Sequence, residues 1–363
     1  MHLLTLLTLA SSAQATELVW DGHYRATGSW YDSLSLSDTN ELAEGASSQF
    51  LHDVRLAPSW HLSDAVSMHV DLRLLDQVSW GDSPVLATDL LTGDSADLTT
   101  SESVEPPTTE DGATTLQNLA VTRAWGETKL GIGTLRFGRM PIHWGTGMVF
   151  NAGDDRWNGP GDTADRIQIT RKAGEVYLLG AWEARSEGYV GEPDDLKGLA
   201  GAVVYQTERA GVGTYHSYRW QGQDDSQFTT YIADIWASAD MGPAKIQFEF
   251  AAVLGGGDLE NGANDVQLGA YGANLDLSMR AEKLSLGLGA GLAGGDGDTD
   301  DSKLSTFSFD PNFRRGLILF AQPLPTLEAS VLNEGNAGRT TAAARSGVGI
   351  SNAMYLNLSL IHI

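Results

Sequence analysis

From Val66 to Leu74 the chain reads Val-Ser-Met-His-Val-Asp-Leu-Arg-Leu, with an apolar side chain at every second position. Val66, Met68, Val70, Leu72 and Leu74 fall on one face of an extended strand, and Ser67, His69, Asp71 and Arg73 on the other. The same beat recurs along the chain. Phe50, Val54, Leu56 and Trp60 oppose Asp53, Arg55, Ser59 and His61, and Ile246, Phe248, Phe250 and Leu254 oppose Lys245, Gln247 and Glu249. Further alternating pairs are predicted at 119–125 with 130–137, 199–206 with 212–221, 228–239 with 244–254, and 266–277 with 284–292. In the last strand the inward set is Ser285, Gly287, Gly289 and Gly291, small enough to leave lumen space or admit a loop close to the wall.

Almost no helical segment exists to cover these apolar faces. The simplest way to bury so many one-sided strands is hydrocarbon outside and a polar lumen inside. The predicted fold is therefore all-β, a transmembrane antiparallel β-barrel of about 14 to 18 strands when complete. Its short turns lie at one end and its long loops at the other. The 79–115 connection holds eight acidic residues and neither Lys nor Arg, as an exposed loop would. Trp20, Trp30, Trp60, Trp80, Trp125, Trp182 and Trp220 fall near strand ends, as interfacial girdles require. The chain closes on Ser359-Leu360-Ile361-His362-Ile363, so the strand from Ala353 is expected to stop short and the barrel to be C-terminally truncated.

The first residues change the picture of where this barrel resides. Leu3 to Ala10 is an apolar run of signal-peptide length, followed by Ala13-Gln14-Ala15 as an A-x-A cleavage site. The expected organisation is a leader over 1–15 and a barrel domain over 16–363. Without Cys, thiolate metal sites and disulfides are excluded. The net charge of −24 argues against a nucleic-acid partner. It suits an outer surface where cations bridge lipid phosphates, with outer-membrane lipid and lipopolysaccharide as the surroundings. Localisation in a bacterial outer membrane follows as the expectation.

Candidate chemistry concentrates between Arg123 and Lys172. Eight cations (Arg123, Lys129, Arg136, Arg139, Arg156, Arg166, Arg171 and Lys172) face five acids there, an excess unlike the rest of the chain. Arginines projecting into a pore and paired with loop aspartates would make a constriction that favours anions, and guanidinium forks hold carboxylates with two bonds. The expected pore residues are Arg123, Arg136, Arg139, His143, Trp144, Asp162, Asp165 and Arg166. An equally open reading makes Asp162, Asp165 and their arginines structural pins of an inward loop. Alternation cannot turn both Arg136 and Arg139 inward without a bulge at Gly138.

The run Phe137-Gly138-Arg139-Met140-Pro141-Ile142-His143-Trp144-Gly145-Thr146-Gly147-Met148, followed by Asp165-Arg166, resembles the alginate-export-type outer-membrane porins and related uncharacterised barrels. Phe309-Asp310-Pro311-Asn312-Phe313 is a second landmark of that resemblance. The resemblance implies passive transport of a hydrophilic solute, a sugar acid among the candidates, with no reaction and no cofactor. Two rivals stand beside it: an outer-membrane barrel hydrolase, and a secreted soluble β-sandwich that binds polysaccharide. His143 has no Ser beside it and no G-x-S-x-G occurs, so a catalytic set is not expected. Asp296 to Asp301 lacks the EF-hand glutamate, and no metal is expected there.

Overall fold

The computed structural model describes residues 17–32, 46–79, 119–159, 161–186, 196–222, 227–258, 265–298, 301–315 and 350–362. The leader expected over 1–15, Trp80 and nearly all of the acidic 79–115 connection lie outside these residues. Among the described residues there is no helix. The strands are β1 (Glu17–Asp32), β2 (Ala46–His61), β3 (Val66–Ser79), β4 (Leu119–Leu130), β5 (Gly133–Pro141), β6 (Thr163–Ala173), β7 (Val176–Ser186) and β8 (Leu196–Gln206). They continue with β9 (Ala210–Gln221), β10 (Phe228–Asp240), β11 (Ala244–Gly257), β12 (Val266–Ala281), β13 (Leu284–Ala293), β14 (Lys303–Leu304) and β15 (Ala353–His362).

Sequence neighbours are spatial neighbours throughout. The order runs from β1 through β13 to β15, antiparallel at every step, while two-residue β14 pairs in parallel with β12. Every turn after an even-numbered strand up to β12 is short, and every connection after an odd-numbered one is longer. Turn and loop ends are thereby separated. Gly174 (φ +62°) and Gly242 (φ +84°) supply the left-handed backbone that two of the short turns need. The β13–β15 ladder runs from Ala293–Ala353 to Leu284–His362. The final strand, expected to stop short, matches its neighbour along its whole length.

Burial is inverted relative to a soluble sheet. Asp53, Arg55, Asp71, Arg73, Arg123, Arg166, Gln168, Glu183, Ser217, Asp234, Glu249 and Asn274 are buried on one face of the sheet. The alternate positions Leu199, Val203, Val212, Ile235, Phe248, Phe250, Leu275, Leu277, Leu286 and Leu288 are exposed on the other. A contiguous apolar surface spanning a dozen strands exceeds the few hundred Å² that soluble monomers leave uncovered. Each such side chain gains about 1.5–3 kcal/mol on leaving water. The chain is an antiparallel transmembrane β-barrel with its ionic side chains turned inward.

Register decides the facing of individual residues. The β3–β4 ladder shifts between Asp71 and Leu72. Val121 therefore points out at 54% exposure while Arg123, two positions on, points in at 3%. Trp125, expected in the aromatic girdle, shares the inward face with Arg123 and stacks on His69 at 4.7 Å between centroids. Trp20, Trp30 and Trp182 do stand on the outer face. The glycines of β13 admit a ring: a Cβ at Gly291 would meet the Tyr355 side chain, whose hydroxyl donates to Asn274 Oδ1 at 2.6 Å.

Candidate pore constriction

The inner face of β1 to β4 is a field of alternating charge. Asp53-Val54-Arg55 on β2 and Asp71-Leu72-Arg73 on β3 run antiparallel, and Arg55 stands directly opposite Arg73 in register. Like charges so placed repel. The two-residue spacing cures this by putting each aspartate on the diagonal. Arg55 reaches Asp71 at 2.6 Å and Arg73 reaches Asp53 at 3.0 Å. Arg25 on β1 joins Asp53 at 3.0 Å, and Arg123 on β4 lies 3.5 Å from Asp71. Four guanidiniums thus line four consecutive strands between two aspartates.

The connection between β5 and β6, residues 142–162, folds inward onto this field. It is tied to itself first: Ile142 N–H donates to Asp162 O at 2.9 Å, Trp144 N–H to Phe150 O at 3.1 Å and Asp162 N–H to Asn151 O at 2.7 Å. Asp154 then accepts from Arg123 at 2.6 Å and from Arg55 at 3.0 Å. Loop carbonyls take the remaining donors, Arg156 and Asn158 from Arg25, Gly159 from Arg73 and Ala152 from Arg123. Partial burial works against the Asp154 charge, yet the Arg123 and Arg55 guanidiniums hold its carboxyl below the usual carboxylate range.

The same loop reaches the far wall. Trp144 donates its indole N–H to Asp234 Oδ1 of β10 at 2.9 Å. Thr146 gives its hydroxyl to Glu249 Oε2 of β11 at 2.6 Å, with its backbone N–H on the same oxygen. Ile142, Trp144 and Phe150 pack against Ala181, Ala200, Ala202, Tyr215 and Ile232, so this wall is apolar around its two carboxyls. Gly145 (φ +57°) sits where a Cβ would strike the Glu249 carboxylate. A second inward segment meets the loop: Phe307, Phe309, Phe313 and Ile350 cluster with Met148. Asp310 N–H donates to Met148 O at 2.8 Å, and Asn312 Oδ1 accepts Gly159 N–H at 2.9 Å.

The expected pore residues separate into three groups. Arg123, Arg136 and Arg166 face inward. Arg136 is half-exposed and bonded to Glu127 at 2.6 Å, while buried Arg166 is held by Glu183 at 3.1 Å and by Gln168 and Tyr215 at 3.2 Å each. His143, Trp144 and Asp162 belong to the inward loop, with Trp144 buried and His143 exposed. Arg139 and Asp165 do not line the lumen. They form a bidentate pair, 2.8 and 2.9 Å, on the outer face in step with exposed Phe137 and Ile167. The β4–β5–β6 ladders continue through Gly138 without a register shift, so strict alternation turns Arg136 in and Arg139 out. A Cβ at Gly138 (φ +115°) would meet the Ala124 carbonyl, which explains the glycine without any bulge.

The residues missed from sequence are Arg25, Asp53, Arg55, Asp71, Arg73, Asp154, Glu183, Asp234 and Glu249. Two Asp-x-Arg pairs on adjacent alternating strands were the signal for four of them.

No family model and no curated protein matches the chain. Among solved structures it is similar to the outer membrane channel DcaP of Acinetobacter baumannii, with 11% identity over 77% of this chain and 79% of that one (TM-score 0.47). Similar too are OpdK of Pseudomonas aeruginosa, solved with vanillate (11%, 77% and 67%, TM-score 0.42), and an anion-selective porin from Comamonas acidovorans (9%, 76% and 88%, TM-score 0.36). These neighbours are outer-membrane channels; likenesses this distant carry no inference about solute or mechanism here.

Proposed function

We propose that this protein is a porin-like channel of a bacterial outer membrane that passes hydrophilic, anionic solutes, sugar acids among them. The observation that carries the reading is the row Arg25, Arg55, Arg73 and Arg123 across four adjacent strands, inside a chain of net charge −24. Composition alone would give a cation-attracting interior. Arg25 and half-exposed Arg136, the accessible guanidiniums of that face, attract carboxylates instead, and a guanidinium fork fits a carboxylate with two bonds. The inward loop narrows the passage to the space its own side chains leave. The resemblance to alginate-export-type porins agrees in solute charge. Outer-membrane lipid and lipopolysaccharide are the proposed surroundings of the exposed apolar face.

Reversal potentials in planar bilayers under a salt gradient test the reading. The unaltered protein is expected to prefer chloride over potassium, and Arg25→Gln with Arg136→Gln to reduce that preference. A cation-selective pore, or an unchanged reversal potential in the double variant, overturns it.

A further inference from the structure

The tip of the inward loop holds an aromatic ring in the open. Asp155 to Asn158 form a tight turn: Asp155 Oδ1 accepts the Trp157 N–H at 2.8 Å, and the Asp155 carbonyl accepts the Asn158 N–H at 2.9 Å. Arg25 of β1 grips that turn from the wall, donating to the carbonyls of Arg156 at 3.0 Å and Asn158 at 3.5 Å. The backbone on both sides of Trp157 is thereby fixed, yet the residue is 58% exposed. Trp144 and Phe150 of the same loop are buried in an apolar cluster. A single exposed apolar residue is ordinary. This one differs because rigid backbone carries it, which lowers the ordering cost of any ligand that stacks on it.

Cations border that ring. The Arg156 guanidinium carbon stands 5.3 Å from the centre of the indole. The Gly159 N–H donates to Asn312 Oδ1 at 2.9 Å, a bond that clasps the second inward segment to the loop. Trp157 precedes the clasp by two positions and Arg314 follows it by two. Exposed Arg314 is thus brought to the same place, within Coulombic reach of Arg25 and Asp155. Its own backbone N–H donates to the Asn312 carbonyl at 3.0 Å. The acids here are already engaged: Asp53 bridges Arg25 and Arg73, Asp154 bridges Arg55 and Arg123, and Asp155 accepts within its turn.

We infer that Trp157, Arg156 and Arg314 form a solute-binding subsite for a carboxylate carried on a six-membered ring. The ring lies against the indole, and the guanidiniums of Arg156 and Arg314 take the carboxylate. The inference rests on the channel reading above and adds shape to charge. An acyclic carboxylate finds the arginines but has nothing to lay on the indole. A neutral sugar finds the indole but makes no ion pair. Two kinds of ring meet the description: the apolar C–H face of a sugar acid and the π-face of an aromatic acid.

Interruption of single-channel chloride current by added solute tests this, with glucuronate, benzoate, acetate and glucose compared at equal concentration. Glucuronate or benzoate is expected to bind the unaltered channel about two- to tenfold more tightly than acetate, the increment of one stacked ring. Block by glucuronate alone assigns the subsite to sugar acids, by benzoate alone to aromatic acids, and by both to either ring. Trp157→Ala, which keeps the turn and its N–H, is expected to bring that block down to the acetate level. Trp157→Phe, which keeps a ring, is expected to retain most of it. Arg314→Gln is expected to weaken it by about tenfold, the loss of a charge-assisted bond. Acetate or glucose blocking as well as the ring acids, no block by either ring acid, or a block undiminished in Trp157→Ala or Arg314→Gln overturns the subsite and leaves an anion channel standing. Cation preference or no current in the unaltered protein overturns the channel reading and the subsite with it.

Discussion

Trp144 and Asp234, ninety positions apart, meet across the lumen through one indole N–H at 2.9 Å. That bond and the two on Glu249 attach the loop to the wall opposite the arginines, so the loop spans the lumen instead of lying along one side.

Removing the indole donor while keeping the ring isolates this bond. Trp144→Phe is expected to weaken the attachment by about 1–3 kcal/mol, the cost of leaving a buried acceptor unpaired. Single-channel records should show a larger mean conductance or new flicker; a trace identical to the parent would mean that this bond does not hold the loop in the passage.

Gly145 is a sharper probe. Alanine there must accept φ near +57° and a Cβ against the Glu249 carboxylate. A cost of about 1–3 kcal/mol follows from the backbone alone. The temperature at which the folded band converts on gels is expected to drop little, since the barrel wall is untouched, while conductance rises.

Asp154 makes the hold of the loop on the arginines depend on pH. Its pKa is depressed, so its bridges to Arg55 and Arg123 are present above the ordinary carboxylate value and are lost as pH falls through its own, lower one. Acid strong enough to pass that depressed value thus releases two guanidiniums from Asp154. Anion preference is expected to increase there, and Asp154→Asn should show the increase at pH 7, read as a shifted reversal potential.

The outer-face pair offers a control. Arg139→Gln removes a cation that sequence alone would place in the pore, yet its side chain is 52% exposed on the outside and bonded to Asp165. Ion selectivity is expected to stay at the parental value. A loss of anion preference as large as that from Arg136→Gln would relocate Arg139 to the lumen.

Period-two alternation was enough to read most of the hairpins and the facing of Asp53, Arg55, Asp71 and Arg73, because one side of every strand meets hydrocarbon. The β13 glycines do face inward, but Gly291 accommodates the Tyr355 ring of the paired strand β15 where lumen space or a loop was expected. The pairing inside the pore was not legible. Whether Arg55 meets Asp71 or another acid depends on the β2–β3 register, which no local pattern states. Nor could alternation foresee that Trp125 would stack on His69 inside, since a shift at Thr122 on the neighbouring ladder resets the phase. Asp234 and Glu249 looked like ordinary polar-face residues. Only the arrival of a loop from four strands away makes them special.

The Arg139–Asp165 pair also carries its own neutralisation. Opposite charges that cancel one another stand there on the outer face, one step from exposed Phe137 and Ile167. Whatever wets the outer wall at that rung meets a neutral pair and not a lone cation.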